Sequence, residues 1–144
     1  MITRLLAVCL LVVSAGGSAS AQFSKTMHSS FPTEGVETIY VKLVDNVTVG
    51  TWVGNTILVQ TDVRLFNASK GLFNFLTGEN GRYTVSAGIE GTTLNLVNAV
   101  PSRAEITSSR GVTREEINVK VLLPEGFVGE GTGPYVLQTE EAGR

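Results

Sequence analysis

Apolar and polar side chains alternate with a period of two along most of the chain between Val36 and Leu123. That rhythm puts successive side chains on opposite faces of an extended strand. Ile39, Val41 and Leu43 alternate with Tyr40, Lys42 and Val44, and Val47 and Val49 resume the rhythm after Asp45-Asn46, with Trp52 close behind. The longest run sets Ile57, Val59, Thr61, Val63 and Leu65 against Leu58, Gln60, Asp62, Arg64 and Phe66. Charges within the second set predict a half-wet face, with Asp62 and Arg64 forming a surface ion pair. Tyr83, Val85 and Ala87 predict a further strand, as do Leu94 and Leu96 after Gly91. Ala104 and Ile106 give a weaker one within Arg103 to Ser108. Ile117, Val119, Val121 and Leu123, opposite Glu116, Asn118 and Lys120, form the last strong run, stopped by Pro124-Glu125-Gly126. Removing Glu116 to Leu123 is expected to abolish folding.

One stretch breaks the rhythm. Leu72, Phe75 and Leu76 have the spacing of a helix face, with Asn67 or Ser69 placed to cap it and Gly78-Glu79-Asn80-Gly81 to end it. Short strands every 8 to 12 residues, with Gly and Asn turns between them, predict an all-β fold: a short β-solenoid or sandwich with one small helical insert. Helical segments are too few for β-α-β crossovers. The expected organisation is a signal segment over 1–21, an irregular lead-in over 22–35, a β domain over 36–127 and a glycine-rich, acidic tail over 128–144. The tail carries one apolar patch, Tyr135-Val136-Leu137, expected to be loose or an edge strand.

The N-terminus sets the compartment. Arg4, the apolar run Leu5 to Val13 and the small residues ending in Ala19-Ser20-Ala21 have the layout of a secretory signal peptide. The run is too short to span a bilayer, and no second apolar run of about 18 residues follows to anchor the chain. The expected mature chain starts near Gln22, in the periplasm or outside the cell. Cleavage removes one basic residue, Arg4, and no acidic one, so the net charge of −2 becomes about −3. Scattered charge of that sign argues against nucleic acid as a partner. Cys9, the sole cysteine, lies within the signal run, where it could alternatively be a lipid-attachment site. Without it no disulfide is possible, and stability must come from packing and backbone pairing.

Candidate chemistry is sparse. His28 is the sole histidine, in the lead-in, with no nucleophile elbow such as G-x-S-x-G elsewhere and no second His or Cys to share a metal. It reads as a solvated loop residue. Asp45, Asp62, Glu79, Glu90, Glu105, Glu115 and Glu116 are the candidates for paired acid–base work. Glu115 and Glu116 are sequential, and on a strand they face opposite ways. Asp45-Asn46 and Glu79-Asn80-Gly81 offer oxygens in turns, without the spacing of a calcium loop. Gly129-Glu130-Gly131-Thr132-Gly133 lacks the Gly-Lys-Ser/Thr of a phosphate loop. Asn46-Val47-Thr48 and Asn67-Ala68-Ser69 are glycosylation sequons, meaningful only in a eukaryotic secreted protein. These readings predict no enzyme activity and no cofactor. Tyr40, Trp52 and Phe66 could form an aromatic strip that stacks on a sugar or anchors a partner, or could simply cover a second apolar layer.

Val47-Thr48-Val49, Ile57-Leu58-Val59-Gln60-Thr61, Gly81-Arg82-Tyr83-Thr84-Val85 and the run from Ile117 to Gly126, a strand ending in Leu-Pro-Glu-Gly, carry a family resemblance. Over Val36 to Phe127 the chain resembles the secreted bacterial auto-transporter adhesin, head GIN domain family. The resemblance implies consecutive strands coiled into a solenoid or stacked sheets, an envelope setting, and no catalytic residues. The expected function is therefore a non-enzymatic envelope or surface protein, an adhesin-like scaffold or partner-binding sheet. Protein or envelope glycan are the expected partners, and edge-strand pairing gives a route to oligomers. The alternative is a small-ligand or glycan-binding module using Tyr40, Trp52 and Phe66.

Overall fold

The computed structural model describes residues 22–78 and 80–139. The predicted signal segment with Cys9, the turn residue Glu79 and the last five residues of the tail lie outside the described residues. The elements are β1 (Gln22–Pro32), β2 (Thr38–Lys42), β3 (Asn46–Trp52), β4 (Thr56–Phe66), α1 (Lys70–Thr77), β5 (Val85–Glu90), β6 (Thr93–Asn98), β7 (Thr107–Ser108), β8 (Gly111–Val112), β9 (Arg114–Pro124), β10 (Phe127–Val128) and β11 (Tyr135–Leu137). One sheet runs β1-β4-β9-β3, a second runs β10-β11-β2-β6-β5, and β7-β8 is a separate ribbon. No described helix is long and apolar enough to cross a membrane.

The all-β expectation holds, as a sandwich. Ile57 and Val59 of β4, with Val119, Val121 and Leu123 of β9, meet Ile39, Val41, Leu94 and Leu96 of the second sheet in one core. The pairings β1–β4 and β4–β9 are antiparallel, while β2–β6 and β3–β9 are parallel. That mixture is a pair of facing sheets and not the uniformly parallel stack of a coil. Along β4 the odd-numbered set predicted to lie inward is buried throughout.

The long strands overrun the second sheet, and α1 covers the exposed end. Val63, Leu65, Ala68, Phe73, Leu76 and Tyr83 form this second cluster. Ser69 caps α1, its hydroxyl accepting from the Leu72 N–H at 3.1 Å. Asn67, the other candidate cap, instead takes a left-handed φ of 63° and donates its amide to the carbonyls of Arg110 and Val112, tethering the β7-β8 ribbon. The helix buries Phe73, Leu76 and Thr77, while Phe75 faces solvent. The i, i+3, i+4 match at Leu72, Phe75 and Leu76 was thus rotated by part of a turn from the buried face.

Three expectations are corrected. The lead-in over 22–35 is mostly strand: β1 pairs with β4 along its whole length, from Gln22 opposite Phe66 to Pro32 opposite Thr56. Its apolar residues on the covered side, Phe23, Met27 and Phe31, recur every fourth position. Lys25 and Ser29 between them remain exposed, because an edge strand is covered only in part, so the period of two is lost. The tail supplies β11, which lies between β10 and β2 and buries Tyr135. Ala104 and Ile106 fall outside any strand, and only Thr107–Ser108 pairs, with Gly111–Val112.

An open sheet edge beside an apolar cleft, as candidate functional site

Among the described residues β3 pairs with β9 alone, from Asn46 opposite Asn118 to Trp52 opposite Pro124, so its other side is a sheet edge. In a parallel ladder alternate residues turn both N–H and C=O away from the neighbour, and an edge leaves them unpaired. Edges are normally blunted by charge, proline or shortness. β1 carries an exposed Lys25 and ends at Pro32, β5 carries Glu90, and β10 is two residues long. β3, with the sequence NVTVGTW, has neither a charge nor a proline over seven residues.

Beneath this edge the two sheets gape. A cleft of about 790 Å³ is lined by Val47 and Val49 of β3, by Val41 and Leu43, and by Phe127 and Tyr135, with Asp45 and Glu130 among its polar residues. Val47 and Val49 face inward, yet stay half-buried. Val44 and Val53 flank β3 along the chain, Val128 of β10 lines the cleft, and Val136 and Leu137 lie on β11. These are five of the eight exposed large apolar side chains among the described residues. Single exposed apolar residues are ordinary, but a gathering at one edge marks a contact surface.

The turn entering β3 is pinned by a polar network. Asp45 receives two hydrogen bonds from the Arg103 guanidinium, at 2.6 and 2.9 Å. Asn98, at the end of β6, accepts from the Val44 N–H at 2.8 Å and donates to Asp45 at 3.3 Å. Arg103 also donates to the Arg82 carbonyl and lies over the Tyr83 ring. Arg82 in turn grips Glu115 with two bonds, at 2.7 and 2.9 Å, and Tyr83 donates to the same carboxylate. This chain of contacts ties β3's entry to the second sheet, the α1 end and β9.

Burial pushes the Glu115 carboxyl up, but the hydrogen bonds from Arg82 and Tyr83 more than offset this and hold it below the usual carboxylate range. Burial, then the contact with the Glu115 carboxylate, push the Tyr83 phenol up. The sign follows from linkage. A carboxyl whose folded pKa is depressed contributes stability above its unfolded pKa and loses it as pH falls through the folded value. Unfolding free energy is therefore expected to decline as pH falls from the ordinary carboxylate range to below it. Glu115→Gln should flatten that decline in urea titrations at several pH values; an unchanged slope would contradict the role given to Glu115.

The residues singled out from sequence are dispersed. Tyr40 is on β2, half-buried, with Lys42 over its ring at 5.0 Å. Trp52 ends β3, its indole donating to the Thr56 carbonyl, and its ring sits over Gly54, where a Cβ would meet it at 2.3 Å. Phe66 lies at the far end of β4 beneath Arg114. Trp52 and Phe66 share a sheet but lie on the order of 30 Å apart along it, and Tyr40 belongs to the other sheet. The structure does not bring the three into one strip. His28 is exposed on β1, a strand and not a loop. Among the described residues Asp62 pairs with no arginine: it accepts from Thr26 at 2.6 Å and from Gln60, while Arg64 approaches Glu116 at 3.8 Å. Across paired strands the nearest partner is the opposite residue, not the one two positions along. Glu115 and Glu116 do face opposite ways, toward Arg82 and Arg64 respectively. Gly129 to Thr132 form one lip of the cleft.

Sequence reasoning passed over Arg82, Tyr83, Asn98 and Arg103 as a group. A period-two reading sends charged residues outward, and no local spacing links positions that meet only through the fold. Comparison with family models, with curated proteins and with solved structures finds no match for this chain.

Proposed function

We propose that this chain is an exported, non-enzymatic binding module of the cell envelope or surface, adhesin-like, in which β3 and the cleft beside it receive an extended segment of a protein partner. The observation that carries this reading is an unprotected seven-residue edge bordering an apolar cleft. A strand laid against β3 satisfies its outward backbone groups, while alternate side chains of that strand reach the cleft beside Val47 and Val49. Backbone pairing supplies affinity and the cleft supplies selectivity. The Asp45–Arg103–Asn98 contacts support it by fixing the entry to β3, so that little ordering is required on binding. The signal-like N-terminus and the adhesin-family resemblance point to the same setting.

Trp52, the sole tryptophan, ends β3 and reports on the edge. Titration with seven-residue peptides alternating valine and threonine is expected to change its emission saturably. Thr48→Lys places a charge on the exposed middle of β3 and should weaken the response. Silence from every such peptide in a monomeric chain, or an equal response in the variant, would overturn the assignment.

A further inference from the structure

We propose that the strand seated on β3 is β3 of a second copy, running antiparallel about a twofold axis at Val49. The inference rests on the edge reading above and names its occupant. About Val49 the strand is self-complementary. Val49 meets its own copy, Val47 meets Thr51, Thr48 meets Gly50 and Asn46 meets Trp52, so inward-facing residues meet inward-facing ones. A one-residue slip would pair inward with outward positions. No charge lies between Asn46 and Trp52, so the twofold brings no like charges together along the strand.

The exposed apolar residues favour a second copy over a foreign strand. Val44 and Val53 extend β3 at its two ends, and Val53 is 82% exposed. Pairing about Val49 sets each beyond the end of the partner's β3, where the partner's own turns cover them. The two sheets join into one, with both covered faces on the same side. This sets the two clefts, each lined by Val128, side by side. A lone seven-residue segment would leave those lips uncovered. An isologous contact of this kind closes on itself and stops at two copies. β3 and its flanks amount to fewer than the roughly 20–30 residues per side of a standard interface, so the association is weak and reversible.

Sedimentation velocity of the purified protein should show a monomer–dimer equilibrium with a midpoint on the order of 10 µM. In the paired strands the two Thr48 side chains are diagonal neighbours, about 7–8 Å apart. Thr48→Lys and Thr48→Glu should therefore each dimerise several-fold more weakly than the parent while melting like it, and an equimolar mixture of the two should associate more tightly than either variant alone. A parent chain monomeric at about 200 µM, variants that dimerise as tightly as the parent, or a mixture no tighter than either variant alone would each overturn the proposal. The peptide titration separates the two readings. A monomeric chain whose Trp52 still responds to alternating peptides refutes the twofold and leaves the edge as a binding site, whereas a monomeric chain without that response refutes both.

Discussion

Replacing Arg103 with alanine is expected to destabilise the fold by about 3–5 kcal/mol, the usual cost of removing one partner from a buried ion pair. The side chains of Arg103 and Asp45 are 10% and 8% exposed, with two hydrogen bonds between them. Without the guanidinium, the Asp45 carboxylate keeps, among the described residues, only the Asn98 amide at 3.3 Å. The Arg82 carbonyl also loses a donor, and the Tyr83 ring loses the cation over its face. Such a loss approaches the whole stability of many domains, about 5–15 kcal/mol. Arg103→Lys should recover little, since a point charge cannot reproduce the two-pronged grip. Arg64→Ala is the control: its pair with Glu116 spans 3.8 Å, and the two side chains are 52% and 43% exposed. It should change stability by no more than about 0.5 kcal/mol. Urea unfolding decides between them, with the midpoint falling and the slope held in Arg103→Ala. A loss below about 1 kcal/mol there would mean that the network is not what holds the entry to β3.

The contrast between those arginines shows where the sequence is readable. β4 and β9 were legible because both lie inside a sheet with one face buried, so each alternate residue had to be apolar. β1 was not, because an edge strand half covered needs only Phe23, Met27 and Phe31, and their spacing of four resembles no strand pattern. The helix existed where predicted, but its buried face centred on Phe73 and Leu76, since the long strands had to be covered from one direction. The candidate site is a property of strand order. Nothing in NVTVGTW distinguishes an edge from an interior strand, and only the pairing with β9 alone reveals it. The network is likewise invisible, because Asp45, Arg82, Arg103 and Glu115 lie in separate turns and strands. The aromatics misled for the opposite reason: Tyr40, Trp52 and Phe66 looked related through alternation, which orders residues within a strand and says nothing across two sheets.

Two adjacent substitutions in β9 should have opposite outcomes. Val121 is fully buried, facing Val59 of β4 on one side and Val49 of β3 on the other. Val121→Asn removes about 1.5–3 kcal/mol of apolar burial and introduces an amide whose desolvation without partners costs at least about 1–3 kcal/mol more. The expected loss, about 4 kcal/mol or greater, belongs to the rare class of substitutions that unfold a domain outright. Lys120→Asn, one residue earlier on the exposed face, should leave the melting temperature nearly unchanged, a shift within about 0.5 kcal/mol. Far-UV spectra and urea titrations of the two purified variants would show one chain unfolded or nearly so and the other native. The same logic explains why removing Glu116 to Leu123 should leave nothing folded: β4 and β3 both pair with this segment, so its loss separates β3 from the sheet and opens the main core. Equal losses at positions 120 and 121 would mean that β9 does not present alternate residues to a dry interior, and the sandwich, its edge and its cleft would fall together.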